Sequence, residues 1–339
     1  MDIKQAIAQV VEGRDLSPEA MTEVMETIMT GGATPAQIAG FLVALRMKGE
    51  SVGEITGAAQ VMRTLATGVD LSDLPHTLDI VGTGGDASGT FNISTASMFV
   101  AAAGGCHVAK HGNRSVSSKS GSADVLEAAG VRLDLKPEQV ARCVREIGVG
   151  FLFAPAYHSA MRHAIGPRRE LGLRTLFNLL GPLTNPARVP RQLLGVFSER
   201  WVQPLAEVLK RLGSRHALVV HALDGLDEIS LSGETAVAEL RDGIIQQYRI
   251  RPEDYGISPA PLSRIQVDSV QTSLRMLLSV LQNEPGPPRD IVMLNAGAAL
   301  YVGGKAKDLA EGVQRADALI ASGAAYQRWE QLIALTQSF

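Results

Sequence analysis

From the first residue, apolar positions fall on helical faces for about 66 residues. Ile3, Ala6, Ile7, Val10 and Val11 recur at the spacing of one helix face, and Gly13 ends the run. Ser17 and Pro18 open a second helix with Met21, Val24, Met25, Ile28 and Met29 on one side, stopped at Gly31-Gly32. Thr34-Pro35 opens a third, striped by Ile38, Phe41, Leu42 and Leu45. Ser51 and Glu54 have capping-box spacing and start a fourth, carried by Ile55, Ala58, Ala59 and Met62 toward Gly68. Four short amphipathic helices predict a small bundle.

From about residue 75 short apolar runs alternate with helical patterns: LDIVG then STASMFVAAAG, HVAK then SADVLEAAG, KPEQVARCVREIG then VGFLFAP. That alternation predicts crossover units and a mostly parallel sheet. Further strands are expected at 192–198, 216–222 and 289–297, and AVAEL and IIQQYRI flank the turn signal Arg241-Asp242-Gly243 as a hairpin. Between about 158 and 185 the pattern is helical again, and this stretch is expected to pack back on the bundle. The fold class is therefore α/β: a small helical domain of residues 1–66 joined by about 158–185, beside a larger α/β domain of 75–157 and 186–339 around a central, mostly parallel sheet.

Composition narrows the function. Hydrophobic residues make up 45% and charged residues 20% of 339, which is globular and excludes disorder. The net charge is 32 − 35 = −3 with no basic face or tail, so tight binding of a nucleic acid backbone has little electrostatic support. No run approaches 18 apolar residues, and the opening MDIKQAIAQVVEGRD carries acids where a secretory signal needs an apolar stretch. With Cys106 and Cys143 as the only thiols, a reducing cytoplasm with both cysteines free is expected. Low aromatic content (4%) with 34 glycines suits a loop-rich protein that handles phosphate.

Candidate chemistry clusters in a few loops. Ile80-Val-Gly-Thr-Gly-Gly-Asp86 sits between a strand and a helix, where glycines bring backbone amides to a phosphate. As a dinucleotide fingerprint it fits loosely, since the acid expected about 20 residues on is missing, and there is no Walker pattern. Asn92-Ile-Ser94-Thr95 opens the next helix, Lys110-His-Gly-Asn113 closes the next strand, and residues 115–122 form a hydroxyl-rich loop. All three fall on the carboxyl side of strands, the rim where open parallel sheets bind ligands. Taken singly, Lys110 reads as a solvated lysine and the serine run as a plain loop. Asp224-Gly-Leu-Asp227-Glu228 is either an exposed acidic loop or a turn aiming two carboxylates at one or two hydrated Mg²⁺ ions. His158, His163 and the cysteines have no zinc spacing, and no nucleophile elbow supports a Ser-His-Asp hydrolase. Arg168, Arg169 and Arg174 offer planar forks for a carboxylate, and any of them could pair with Glu170 instead.

Together GTGGD (82–86), NIST (92–95), KHGNRSVSSKSGSADVLEAAG (110–130), RRELGLRTLFNLLGPLTNP (168–186) and DGLDE (224–228) resemble, in order and over nearly the whole chain, the anthranilate phosphoribosyltransferase family of tryptophan biosynthesis. The resemblance implies transfer of phosphoribosyl from phosphoribosyl pyrophosphate (PRPP) to the amine of anthranilate, usually by a homodimer. It implies PRPP contacts from Gly82, Thr83, Gly84, Gly85, Asp86, Thr90, Asn92, Ile93, Ser94, Thr95, Lys110, His111, Gly112, Asn113, Ser118, Ser120, Gly121 and Ser122. Gly82, Asn113, His111 and Arg168 would face anthranilate, with Arg168 on its carboxylate and His111 as a positioning residue. Ser94 with Glu228 would contact one Mg²⁺, and Asp227 with Glu228 another. Ala222 stands where the family usually has glycine. The pyrimidine nucleoside phosphorylases share the architecture but not the KHGN segment and rank second. A non-catalytic relative that binds nucleotide or nucleic acid would show a basic surface and a broken aromatic-acid site, against which the net charge and Arg168 both count.

Overall fold

The computed structural model describes residues 1–115 and 119–339. Four helices open the chain: α1 (Ile3–Val11), α2 (Pro18–Met29), α3 (Pro35–Lys48) and α4 (Val52–Leu65). Their caps are the ones the sequence predicts, because Ser17, Thr34 and Ser51 each accept a hydrogen bond from a backbone amide three residues on. Val11, counted into the apolar stripe of α1, is instead exposed at its last turn.

Strand and helix then alternate: β1 (Thr77–Gly82), α5 (Ile93–Ala103), β2 (His107–Gly112), α6 (Ser122–Ala128), α7 (Pro137–Ile147) and β3 (Val149–Phe153). The middle segment holds α8 (Ala154–Tyr157), α9 (Arg162–Leu171) and α10 (Leu176–Leu183), followed by β4 (Arg191–Gly195), α11 (Val202–Arg211) and β5 (His216–Ala222). Strands β6 (Thr235–Arg241) and β7 (Ile244–Ile250) form the expected hairpin, with Asp242 and Gly243 both at positive φ. The chain closes with α12 (Val270–Leu281), α13 (Pro287–Val302), α14 (Leu309–Ala321) and α15 (Ala324–Gln337).

Among the described residues, seven strands make one sheet in the order β3-β2-β1-β4-β5-β6-β7. The first five are parallel and the terminal hairpin is antiparallel. Alternate side chains feed two cores. Leu78, Ile80, Leu193, Leu218 and Val220 pack with α5, α7 and α12–α15. Leu194, Ala217, Val219, Ala238 and Leu240 share the other core with α11, α10 and the N-terminal helices. The middle segment meets the bundle through α9 on α2 and α3, and α10 on α3 and α4.

The expected strand at 289–297 is a correction: these residues lie inside α13. Gly286 and Pro287-Pro288 start that helix, and it is buried on nearly all sides against α5, α12 and α14. An apolar run wrapped by other helices has no polar face, so its periodicity does not separate helix from buried strand.

Within the bundle Glu54 is fully buried and accepts from the Leu16 and Ser51 amides and from Lys48 Nζ at 2.9, 2.7 and 2.9 Å. Truncating Glu54 leaves Lys48 paired with Asp15 but takes the acceptor from the Leu16 and Ser51 amides, at a cost of about 1–3 kcal/mol. Glu54→Ala is expected to lower unfolding free energy by that amount, read as an earlier denaturant midpoint at unchanged slope.

Candidate active site

Because β1, β2, β4 and β5 are parallel, the loops that follow them open on one rim. The 82–86 loop leaves β1 with Gly84 and Gly85 at positive φ. Thr83 anchors it to β4: its amide donates to the Gly195 carbonyl at 2.9 Å and its hydroxyl accepts from the Phe197 amide at 3.0 Å. The acidic loop after β5 folds back onto this point. A Cβ on Gly195 would overlap the Asp227 carbonyl, and one on Gly82 would overlap the Asp227 carboxylate, so glycine at both strand ends admits Asp227. The Gly84 amide then donates to Asp227 Oδ2 at 2.8 Å.

Asp227 and Glu228 are crowded acids. Burial, then the neighbouring Asp86 carboxylate, push the Asp227 carboxyl well above its ordinary range. Burial and then Asp227 do the same to Glu228, opposed by Lys110 and by a hydrogen bond from the Ser94 amide. Among the described residues no set of three or more His, Cys, Asp or Glu side chains could hold a metal ion. Two carboxylates beside a hydroxyl suit Mg²⁺, which keeps waters and completes its shell with substrate phosphates rather than a protein cage.

Lys110 is buried, not solvated. Its ammonium donates to the Ile80 carbonyl and to Ser94 Oγ (3.0 Å), and burial lowers its pKa against the pull of Asp79, Glu228 and Asp227. At the start of α5, Asn92 Oδ1 accepts from Ser120 Oγ at 2.8 Å and Ser273 Oγ at 2.7 Å. Ile93 is core, and Thr95 is fully buried with a hydroxyl that has no partner among the described residues. Thr90 pairs with Gln266 in an isolated bridge. After β2, Ser122 Oγ donates to the Asn113 carbonyl at 3.3 Å, and Asp124 accepts from the Ser115 and Gly121 amides, each at 3.0 Å. A Cβ on Gly112 would overlap Ser122 Oγ. Ser118 lies outside the described residues.

The middle segment borders the same rim. His111 Nδ1 donates to the Gly181 carbonyl at 3.2 Å, leaving Nε2 buried without a partner among the described residues, and its ring lies 5.1 Å from that of His158. Burial holds both imidazoles neutral, His111 at about 3 and His158 at about 4. The three arginines separate clearly. Arg174 donates to the Gly85 carbonyl and stacks on Phe197, Arg169 is exposed, and Arg168 is half-buried over the Phe177 ring with no carboxylate partner among the described residues. Burial lowers the Arg168 pKa.

Several residues escape sequence reasoning. Asp79 and Asn185 are buried together, Ser273 reaches Asn92 from α12, and Asn295 on α13 clamps Ile229 just after the acidic pair at 3.0 and 2.8 Å. Asp79 alone gave a signal, a charge inside an apolar strand. Ala222 takes an ordinary place in β5, opposite Thr235. Cys106 and Cys143 are buried free thiols.

Comparison with known proteins identifies the family. Residues 74–326 match the "Glycosyl transferase family, a/b domain" and residues 4–66 the "Glycosyl transferase family, helical bundle domain". The anthranilate phosphoribosyltransferase of Thioalkalivibrio sulfidiphilus is 63% identical over 100% of both chains. The crystal structure of the Thermus thermophilus anthranilate phosphoribosyltransferase superposes with a TM-score of 0.93 at 46% identity, covering 98% of this chain and 99% of that one. The Saccharomyces cerevisiae enzyme in complex with PRPP and Mg gives 0.91 at 27% identity, over 99% and 98%. With both domains matched and full-length identity this high, the chain belongs to the anthranilate phosphoribosyltransferase family.

Proposed function

We propose that the rim formed by the 82–86 loop, the start of α5, the 110–113 segment and Asp227-Glu228 is where this chain transfers phosphoribosyl from PRPP to the amine of anthranilate. The observation that carries the reading is the close packing of two neighbouring acids at the rim, Asp227 on the Gly84 amide and Glu228 on the Ser94 amide, an arrangement whose repulsion a cation bridging to phosphate relieves. The S. cerevisiae relative bound to PRPP and Mg supports it.

Each element then has a chemical task. The 82–86 loop and the α5 start take the pyrophosphate of PRPP through Gly85, Asp86 and Thr95, because the Thr83, Gly84, Asn92 and Ile93 amides already donate to Gly195, Asp227, Ser273 and Phe91. Lys110, already bonded to Ile80 and Ser94, contributes its charge to balance the acids. Ser94, Asp227 and Glu228 hold Mg²⁺, which when bound neutralises charge on the departing pyrophosphate. On the acceptor side Arg168 receives the anthranilate carboxylate, since its guanidinium is half-buried and unpaired among the described residues, while Asn113 and Gly82 border the ring. His111, neutral and tethered through Nδ1, presents Nε2 as an acceptor that orients the amine. An aromatic amine is neutral at pH 7 and needs no strong base. The barrier lies in expelling pyrophosphate from a ribose carbon that turns cationic, so positioning and electrostatics outweigh proton transfer.

Assembly as a homodimer and a cytoplasmic setting belong to the same proposal. Val11 and Met47 are exposed apolar residues on α1 and α3, and among the described residues no helix is long and apolar enough to cross a membrane.

PRPP-dependent consumption of anthranilate by the purified protein tests the reaction, and none should occur with PRPP omitted. Arg168→Ala is expected to raise the Michaelis constant for anthranilate about ten- to a hundredfold with PRPP binding nearly intact. Equal losses for both substrates would make Arg168 structural. Asp227→Asn combined with Glu228→Gln is expected to keep the fold, because it removes repulsion, while turnover falls by at least about a hundredfold. Near-normal turnover at ordinary Mg²⁺ would dismiss the metal role.

A further inference from the structure

Asp79 lies in the middle of β1 with no exposed surface. The ladder from β1 to β2 pairs Thr77 with His107 and Leu78 with Val108 and ends there. On the other edges the ladders continue, from β1 to β4 as far as Gly82 with Gly195, and from β2 to β3 as far as Gly112 with Phe153. So β1 and β2 part at their carboxyl ends, between the two loops assigned to the two substrates.

Side chains take over where the ladder stops. Asp79 Oδ1 accepts the His111 amide at 3.2 Å, and Lys110 donates back across the gap to the Ile80 carbonyl. Asn185, in the turn after α10, donates from Nδ2 to Asp79 Oδ2 at 2.7 Å and to the Ala109 carbonyl at 2.8 Å. Its own Oδ1 accepts the Ala187 amide at 2.9 Å. Backbone groups that a continued ladder would pair, the His111 amide and the Ile80 and Ala109 carbonyls, are thus met by side chains instead. Both groups facing the Asp79 carboxylate are donors. An ionised carboxylate accepts from both, whereas an amide would turn its own NH₂ toward one of them.

We infer that Asp79 is a positioning residue for phosphoribosyl transfer: with Asn185 it stitches the parted ends of β1 and β2 and so fixes the 110–113 segment relative to the 82–86 loop. Asp79 touches neither substrate in this scheme. It acts by holding the His111 backbone and by placing a negative charge beside Lys110. The inference rests on the proposed reaction for its kinetic consequence, but the stitch itself has a readout independent of activity.

In Asp79→Asn, kcat is expected to fall about ten- to a hundredfold while both Michaelis constants stay within about threefold, the pattern of misaligned reactants rather than lost binding. Hydrogen exchange of the His111 amide should quicken at least about tenfold. Leu78→Ala, a core change in the same strand, lowers the melting temperature but should keep kcat when assayed well below that temperature. Wild-type kcat in folded Asp79→Asn, or an equal kcat loss in Leu78→Ala at matched stability, overturns the inference. Should Asp79→Asn fail to fold, Asn185→Ala keeps the acid and removes the bridge to Ala109, and wild-type kcat there is equally fatal. Wild-type protein inactive with PRPP and anthranilate would sink the reaction instead, and the stitch would then stand or fall on His111 exchange.

Discussion

The contact on which the site depends is that of Asp227 with the glycine ends of β1 and β4. Gly82 and Gly195 are adjacent across the sheet, and both lack the Cβ that would keep the acidic loop away. Once Asp227 is seated there, its carboxylate receives the Gly84 amide, Glu228 receives the Ser94 amide, and Lys110 is drawn in as the nearby cation. Strands β1, β2, β4 and β5, with the loops between them, are thereby committed to one arrangement by close packing of backbone on backbone.

Such a site is electrostatically unfinished by itself. Asp86 and Asp227 both bear on Glu228, Lys110 is the cation that opposes them, and burial of Asp227 and Glu228 disfavours their charged forms. In a structural network that imbalance would be a defect. At the rim of a parallel sheet, beside glycine amides, it matches a magnesium–pyrophosphate partner whose charges complete the set. The proposed acceptor side is built on the opposite principle. It offers neutral imidazoles and one guanidinium without a carboxylate partner among the described residues, which suits an aromatic acid carrying a neutral amine.

The two halves are held together by the sheet and by the middle helical segment. Arg174 ties that segment to the 82–86 loop, His111 ties β2 to α10, and Asn185 ties the end of α10 to β1 and β2. The segment shares its core with the N-terminal helices and with α11 on one sheet face. The relation between the helical region and the sheet is therefore set by a continuous apolar core rather than by a surface contact.

Local rules were enough for much of this. Ser17, Thr34 and Ser51 announce their helices because capping is decided within four residues, and Asp242-Gly243 announces its hairpin because the turn needs positive φ at both positions. The order of the glycine, KHGN and DGLDE segments pointed to phosphoribosyl transfer to anthranilate through resemblance to a family rather than through local rules. Other features depend on partners far along the chain. Residues 289–297 form a helix because α5, α12 and α14 surround them, and nothing in their own spacing opposes a strand. Lys110 reads as a surface lysine until β1 and β2 enclose it, and nothing local marks Asn185 until Asp79 and Ala109 come within its reach. The sequence by itself determined the elements whose starts, stops and turns are set locally, and the residue types at their ends. Only the tertiary structure decided which buried charges meet, because desolvation and hydrogen bonding across distances of 76 to 143 residues are properties of the packed chain.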